Sequence, residues 1–183
     1  MTRYDLAGLT YVDPRVGAGY RVGQRLQLTG AWTIDHQAVN GITREDQVRG
    51  DGELWALSDG SIIPVAGAQH AEAGASIELS DFLWDAHVYY TAFDDLTILA
   101  PRLFPGVAPD GSSLMHHGSG RALGLELLTQ ARAGWDTLWT SYNLGRADYT
   151  YPTLEAATFP ASYDQRHELK VTDIVRLGPS WEL

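Results

Sequence analysis

The sequence has no cysteine, which removes disulfide staples, thiolate metal sites and a cysteine nucleophile together. Lysine is nearly missing as well: Lys170 is the only one, so almost all positive charge is arginine. Positive charge is itself scarce, with 13 Lys plus Arg against 23 Asp plus Glu and a formal net charge of −10. That balance argues against nucleic acid as the main partner, because binding phosphates needs a basic face. No apolar run approaches the ~18 residues of a membrane-spanning helix. The opening Met1-Thr2-Arg3-Tyr4-Asp5 lacks the apolar stretch of a signal peptide. Phenylalanine is rare, 4 residues against 9 Tyr and 6 Trp, so most aromatic surface carries a polar tip. With 19 Gly in 183 residues, the composition points to one domain of β-structure with many turns.

What is present is period-two alternation. From Arg25 to Asp35, Leu26, Leu28, Gly30, Trp32 and Ile34 fall on one phase, and Gln27, Thr29, Ala31, Thr33 and Asp35 on the other. Successive strand side chains point to opposite faces, so this segment is a strand with one apolar and one polar face. His70–Leu79 and Trp84–Phe93 repeat the pattern, and Val16–Val22, Leu123–Gln130, Leu138–Arg146 and about Arg166–Leu177 follow it more loosely. Seven strands are thus expected, with Trp181-Glu182-Leu183 as the start of an eighth. Short turns at Gly23-Gln24, Ser80-Asp81, Ala131–Gly134 and Gly178–Ser180 alternate with long polar connections over roughly 37–64, 94–118 and 147–165. The repeating unit is one long hairpin plus one large loop, roughly 45–57 residues between short turns.

Such strands fit a sandwich, a soluble barrel or the wall of a transmembrane barrel. The last has an apolar outer phase, a polar inner phase, short turns at one rim, long loops at the other and aromatic rings at both interfaces. Tyr20, Phe82, Trp84, Trp135 and Trp181 flank the short turns, while Tyr90, Tyr142 and Tyr149 lie toward the long-loop ends. Asp35, His70, Glu72, Glu78, Asp85, His87 and Glu126 share the polar phase. An unpaired sheet edge cannot face lipid. The expected fold is therefore all-β: an antiparallel up-and-down meander forming an arc of a transmembrane β-barrel, with short periplasmic turns and long extracellular loops.

Four stretches carry a family resemblance. They are Asp13–Arg21 followed by Arg25-Leu26; Gly120–Leu127 with its Gly-Leu-Glu triplet; Trp139–Arg146 with its aromatic, Ser-Tyr and base; and Phe159–Leu169 with its Asp-x-Arg-His-x-Leu run. In this order and spacing they resemble the β-barrel part of TonB-dependent outer-membrane receptors. The resemblance covers most of the chain. It implies a Gram-negative outer-membrane protein that binds a scarce small nutrient (an iron chelate, haem, cobalamin or a saccharide) at its outer loops. Import would be driven by a TonB complex acting through a plug domain. Residues 1–183 then read as a partial barrel domain, about a third of a wall of about 22 strands, without plug, signal peptide or C-terminal strands. Its partners would be outer-membrane lipid and the nutrient, with the TonB complex reached only through the plug. One residue sits awkwardly: Asp173 shares the outward phase with Leu169, Val171 and Val175, so either a bulge shifts the register or it lies near the rim.

No motif implies a cofactor or a catalytic apparatus. Gly17-x-Gly19-x-x-x-Gly23 and Gly118-x-Gly120-x-x-x-Gly124 precede no helix, so they read as glycines easing strand curvature rather than a phosphate loop. His70, Glu72, Asp85 and His87 read as a polar network rather than a metal or proton-handling cluster. The substrate-contact candidates are Trp55, Asp59, Tyr149 and Tyr151 in the long loops, together with the loop pair His116 and His117, which could touch a metal chelate. Two alternatives compete: a soluble β-sheet module binding carbohydrate through its aromatic rings, and a barrel hydrolase using His87 and His116, for which no nucleophile elbow or metal-helix motif appears.

Overall fold

The computed structural model describes residues 2–4, 8–44, 54–99, 114–178 and 181–182. They form thirteen strands: β1 (Thr2–Tyr4), β2 (Leu9–Tyr11), β3 (Arg15–Val22), β4 (Leu26–Gln37), β5 (Val39–Arg44), β6 (Leu54–Leu57), β7 (Ala66–Glu78), β8 (Phe82–Leu99), β9 (Met115–Ala133), β10 (Asp136–Tyr151), β11 (Glu155–Pro160), β12 (His167–Gly178) and β13 (Trp181–Glu182). The main sheet runs β3-β4-β7-β8-β9-β10-β12-β13 and does not close on itself. Each neighbouring pair along that path is antiparallel. This is the expected meander of seven strands and a short eighth. Gly23 and Gly134, with φ of 67° and 62°, take the left-handed conformation that two of the short turns require.

The described parts of the long connections hold strands that their polar composition does not suggest. Residues 37–64 contain the β5–β6 hairpin, whose β5 also pairs in parallel with the tip of β8. Of 94–118, residues 94–99 belong to β8 and 115–118 to β9, and 147–165 holds the end of β10 and all of β11. Expecting β8 to end at Phe93 was wrong for a local reason. A bulge between Phe93 and Leu96, with Asp95 at φ 57°, inserts one residue and reverses the alternation. Beyond it, ladder hydrogen bonds continue without an amphipathic pattern to announce them.

On one edge of β10, β12 pairs up to Leu144 and β11 takes over from Asp148. Asp164 fills the gap: its Oδ1 accepts the Ala147 N–H at 2.7 Å, while Oδ2 meets Arg166 Nε at 2.6 Å. The Asp-x-Arg spacing thus lets the chain change strands without orphaning a backbone donor.

Register places Val16, Tyr20, Leu28, Trp32, Ile77 and Trp84 on one face, continuing through Val88, Leu125 and Leu144. This face is open: Trp84 is 60% exposed and Val88 53%. Among the described residues, every substantial contact between elements joins hydrogen-bonded neighbours, so the main sheet is a single layer there. The buried apolar side chains among the described residues are Ile42, Val65, Tyr151 and Ala161. All belong to the long-connection end, none to a core beneath the apolar face. Asp173 pairs with Leu138 in an unshifted β10–β12 ladder, two residues from the start of β10. Its place is therefore near the short-turn rim, and no bulge is needed.

Candidate functional site

The polar face of the sheet is a wall of short-range pairs. His70 Nδ1 meets Thr91 Oγ1 at 2.8 Å, and its Nε2 lies 3.4 Å from Glu72 Oε2. His87 Nε2 lies 2.8 Å from Asp85 Oδ1, and Arg15 donates to Asp35 at 2.5 Å. Each histidine faces a carboxylate of its own strand, two residues away on the same face. They form a polar network of separate pairs, and among the described residues no three His, Asp or Glu side chains are grouped to hold a metal ion. Thr91, His70 and Glu72 share the residue types of a hydrolytic triad. The neighbouring strand amides, however, are committed to the ladders with β4 and β9, leaving no obvious oxyanion donors beside them.

Glycines shape this wall. The His87 ring lies where a side chain on Gly74 would stand, and Tyr89 does the same over Gly124. Toward the long-connection rim, the Tyr149 ring lies over Gly120, where an added Cβ would be 2.8 Å from it, and Tyr151 lies over Gly118. The spaced glycines at 118, 120 and 124 are therefore seats for tyrosine rings, a more specific role than easing curvature.

Those rings build the candidate site. Tyr149 meets Tyr163 edge-on at 6.1 Å with the two hydroxyls in contact, Tyr149 and Tyr151 meet at 6.3 Å, and Tyr151 stacks on Phe159 at 6.0 Å. Tyr151 forms the buried floor, and Tyr163, 69% exposed, forms the open lip. Burial pushes the Tyr151 phenol up to about 12, helped by Tyr163, and raises Tyr149 further through burial and its bond to Tyr163. Tyr149 and Tyr151 therefore present neutral phenols at ordinary pH, and the cluster is suited to stacking and hydrogen bonding with a planar or ring-shaped ligand.

The structure brings together only two of the six candidate residues. Tyr149 and Tyr151 stand on β10 rather than in a loop, and Tyr149 faces the polar side, so it does not belong to an aromatic row on the apolar face. His116 and His117 lie on β9, not in a loop. As consecutive strand residues they point to opposite faces and do not converge. His116 Nδ1 bonds Thr153 at 2.7 Å, and His117 Nδ1 lies 3.5 Å from Thr97. Trp55, on β6 opposite Gly41, is exposed in the separate β5–β6 hairpin. Asp59 does lie in a connection, where its Oδ1 accepts the amides of Ser61 at 2.8 Å and Ile63 at 3.0 Å. Those bonds hold its carboxyl below the usual range and commit it to shaping its own loop. Phe159 and Tyr163 were missed as site residues. Their signal was proximity in sequence to the Asp164–His167 run, which carried no indication of facing Tyr149. Comparisons with family models, curated proteins and solved structures give no match for this chain.

Proposed function

We propose that this chain is one arc of a transmembrane β-barrel in a TonB-dependent outer-membrane receptor, with the polar face turned to the lumen and the long connections to the cell exterior. It would bind a scarce small nutrient at the long-connection rim and serve uptake rather than catalysis. The observation that carries this reading is the exposed apolar face of a single-layer sheet. At roughly 25 cal/mol per Å2, leaving that many large apolar side chains in water would forfeit most of the driving force for folding. Contact with hydrocarbon removes the penalty. The depth of the face fits: on β9 the apolar phase runs from Ala131 to Leu123 before Arg121 interrupts it, close to the ~9–11 residues of a tilted spanning strand. Exposed Phe82, Trp84 and Trp135 sit at the short-turn end, as interfacial rings do.

In this reading the Tyr149–Tyr151–Phe159–Tyr163 cluster stands on the lumen side, above the band, where an incoming ligand would first meet the wall. Fractionation of cells expressing the entire reading frame that contains this chain tests the proposal. Recovery in outer membranes, released by detergent and migrating differently before and after boiling, is expected. A protein that stays in the soluble fraction without detergent rejects it in favour of the soluble carbohydrate-binding module.

A further inference from the structure

Arginine interrupts the apolar face at one place. Along β3, β4, β7, β8, β9, β10 and β12, Arg121 and Arg146 are the Lys or Arg residues that register assigns to this face among the described residues. They stand side by side at the end of the band: Arg121 is paired with Asp148, and Arg146 with Leu123. Asp148 is almost fully buried between them, with Arg146 Nε at 2.6 Å and Arg121 Nε at 3.6 Å from its Oδ2. Both contacts use Nε. The terminal guanidinium nitrogens of two half-exposed side chains therefore remain available, and the triad keeps one net positive charge. Below it lie Leu123 and Leu144, and above it on the same face lie the hydroxyls of Ser119 and Thr150.

We propose that Arg121 and Arg146 form a docking point for the phosphate of an anionic outer-leaflet lipid, an inference that rests on the transmembrane orientation proposed above. The arrangement matches such a lipid from tail to head: apolar side chains for the acyl chains, a paired guanidinium for the phosphate, and hydroxyls for the sugar or glycerol beyond. Arginine suits phosphate because its fork donates two parallel hydrogen bonds, and a cation at the membrane surface is drawn to anionic lipid. Asp148 acts as a positioning residue that holds both forks in place and prevents the two cations from repelling each other.

The test uses the full-length protein purified in dodecyl maltoside, with native mass spectrometry counting retained bis-phosphorylated lipid A added against a phosphatidylcholine background. The wild type is expected to retain lipid A and to lose it when dephosphorylated lipid A is supplied instead. The R121A/R146A variant should retain it about tenfold less well, and R121K/R146K should fall between. Equal retention of the phosphorylated and dephosphorylated lipids overturns the inference without reference to any variant, as does equal retention by wild type and R121A/R146A. In either case recovery of the wild type in the membrane fraction leaves the receptor reading standing. A wild type that needs no detergent overturns both.

Discussion

Tyr89 on β8 lies across its ladder partner Gly124 on β9, so closely that a Cβ on the glycine would stand 2.5 Å from the phenol oxygen. The ring occupies the volume the missing side chain leaves and reaches on toward Gly145, whose Cβ would be 3.3 Å away. One tyrosine thereby ties β8, β9 and β10 together on the polar face. Replacing Gly124 with Val displaces the ring and is expected to cost about 1–3 kcal/mol. Equilibrium unfolding measures it. Adding Tyr89→Ala to that variant should recover part of the loss, and additive effects of the two changes would show that ring and glycine do not interact.

In the proposed transmembrane orientation, the apolar face should respond to charge according to depth. Val88 lies mid-way along the apolar phase of β8, whereas Leu138 lies near the start of β10 opposite Asp173. Val88→Arg is expected to cost about 2–4 kcal/mol and Leu138→Arg about 0–1 kcal/mol in a bilayer. If both substitutions are tolerated equally, or if Val88→Arg improves solubility without detergent, the face does not meet hydrocarbon.

Asp164 substitutes for a missing strand where β11 hands over to β12. Asp164→Ala leaves the half-buried Ala147 N–H without its acceptor, an expected loss of about 1 kcal/mol, the low end for an unsatisfied backbone donor. Asp164→Asn keeps an acceptor oxygen and should lose less. Hydrogen exchange at the Ala147 amide reports the change directly: faster exchange in the Ala variant and near-native protection in the Asn variant are expected.

Tyr151 predicts an alkaline weakness of the rim. Its folded-state pKa is raised from the ordinary value of 10.0 to about 12. The stability it contributes is therefore complete below about pH 10 and lost as pH rises through about 12. Amide exchange in the β10–β11 hairpin should accelerate across that interval. Tyr151→Phe, which cannot ionise, should remove the Tyr151 contribution to that pH dependence while preserving the stack on Phe159.

The alternation over Arg25–Asp35, His70–Leu79 and Trp84–Phe93 was enough to predict three strands and the composition of their two faces, because side-chain direction follows from the pleat alone. The same rule failed past Phe93, where the bulge at Asp95 reverses the phase, and it failed at His116 and His117, where polar residues in a ladder look like a loop. Nearness to the long-loop ends groups Tyr149 with Tyr90 and Tyr142, whereas the alternation, carried three residues past Arg146 in the unshifted β9–β10 ladder, puts it on the face opposite Tyr142. For Asp59, residue type and loop position were right, but the commitment of its oxygen to the Ser61 and Ile63 amides depends on how the loop turns back.

The sequence by itself determined the number and order of the main strands, the positions of the short turns, and which face of each ribbon is apolar, all of which follow from the chain's local period and its turn residues. Only the tertiary structure decided that Tyr89 sits on Gly124, that Tyr149, Tyr151, Phe159 and Tyr163 gather at one rim, and that Arg121 and Arg146 bracket Asp148. Those neighbours come from register between β8, β9 and β10 and from the way β11 and the residues after it fold back on β10, and a shift of one residue, as at Asp95, changes which side chains meet.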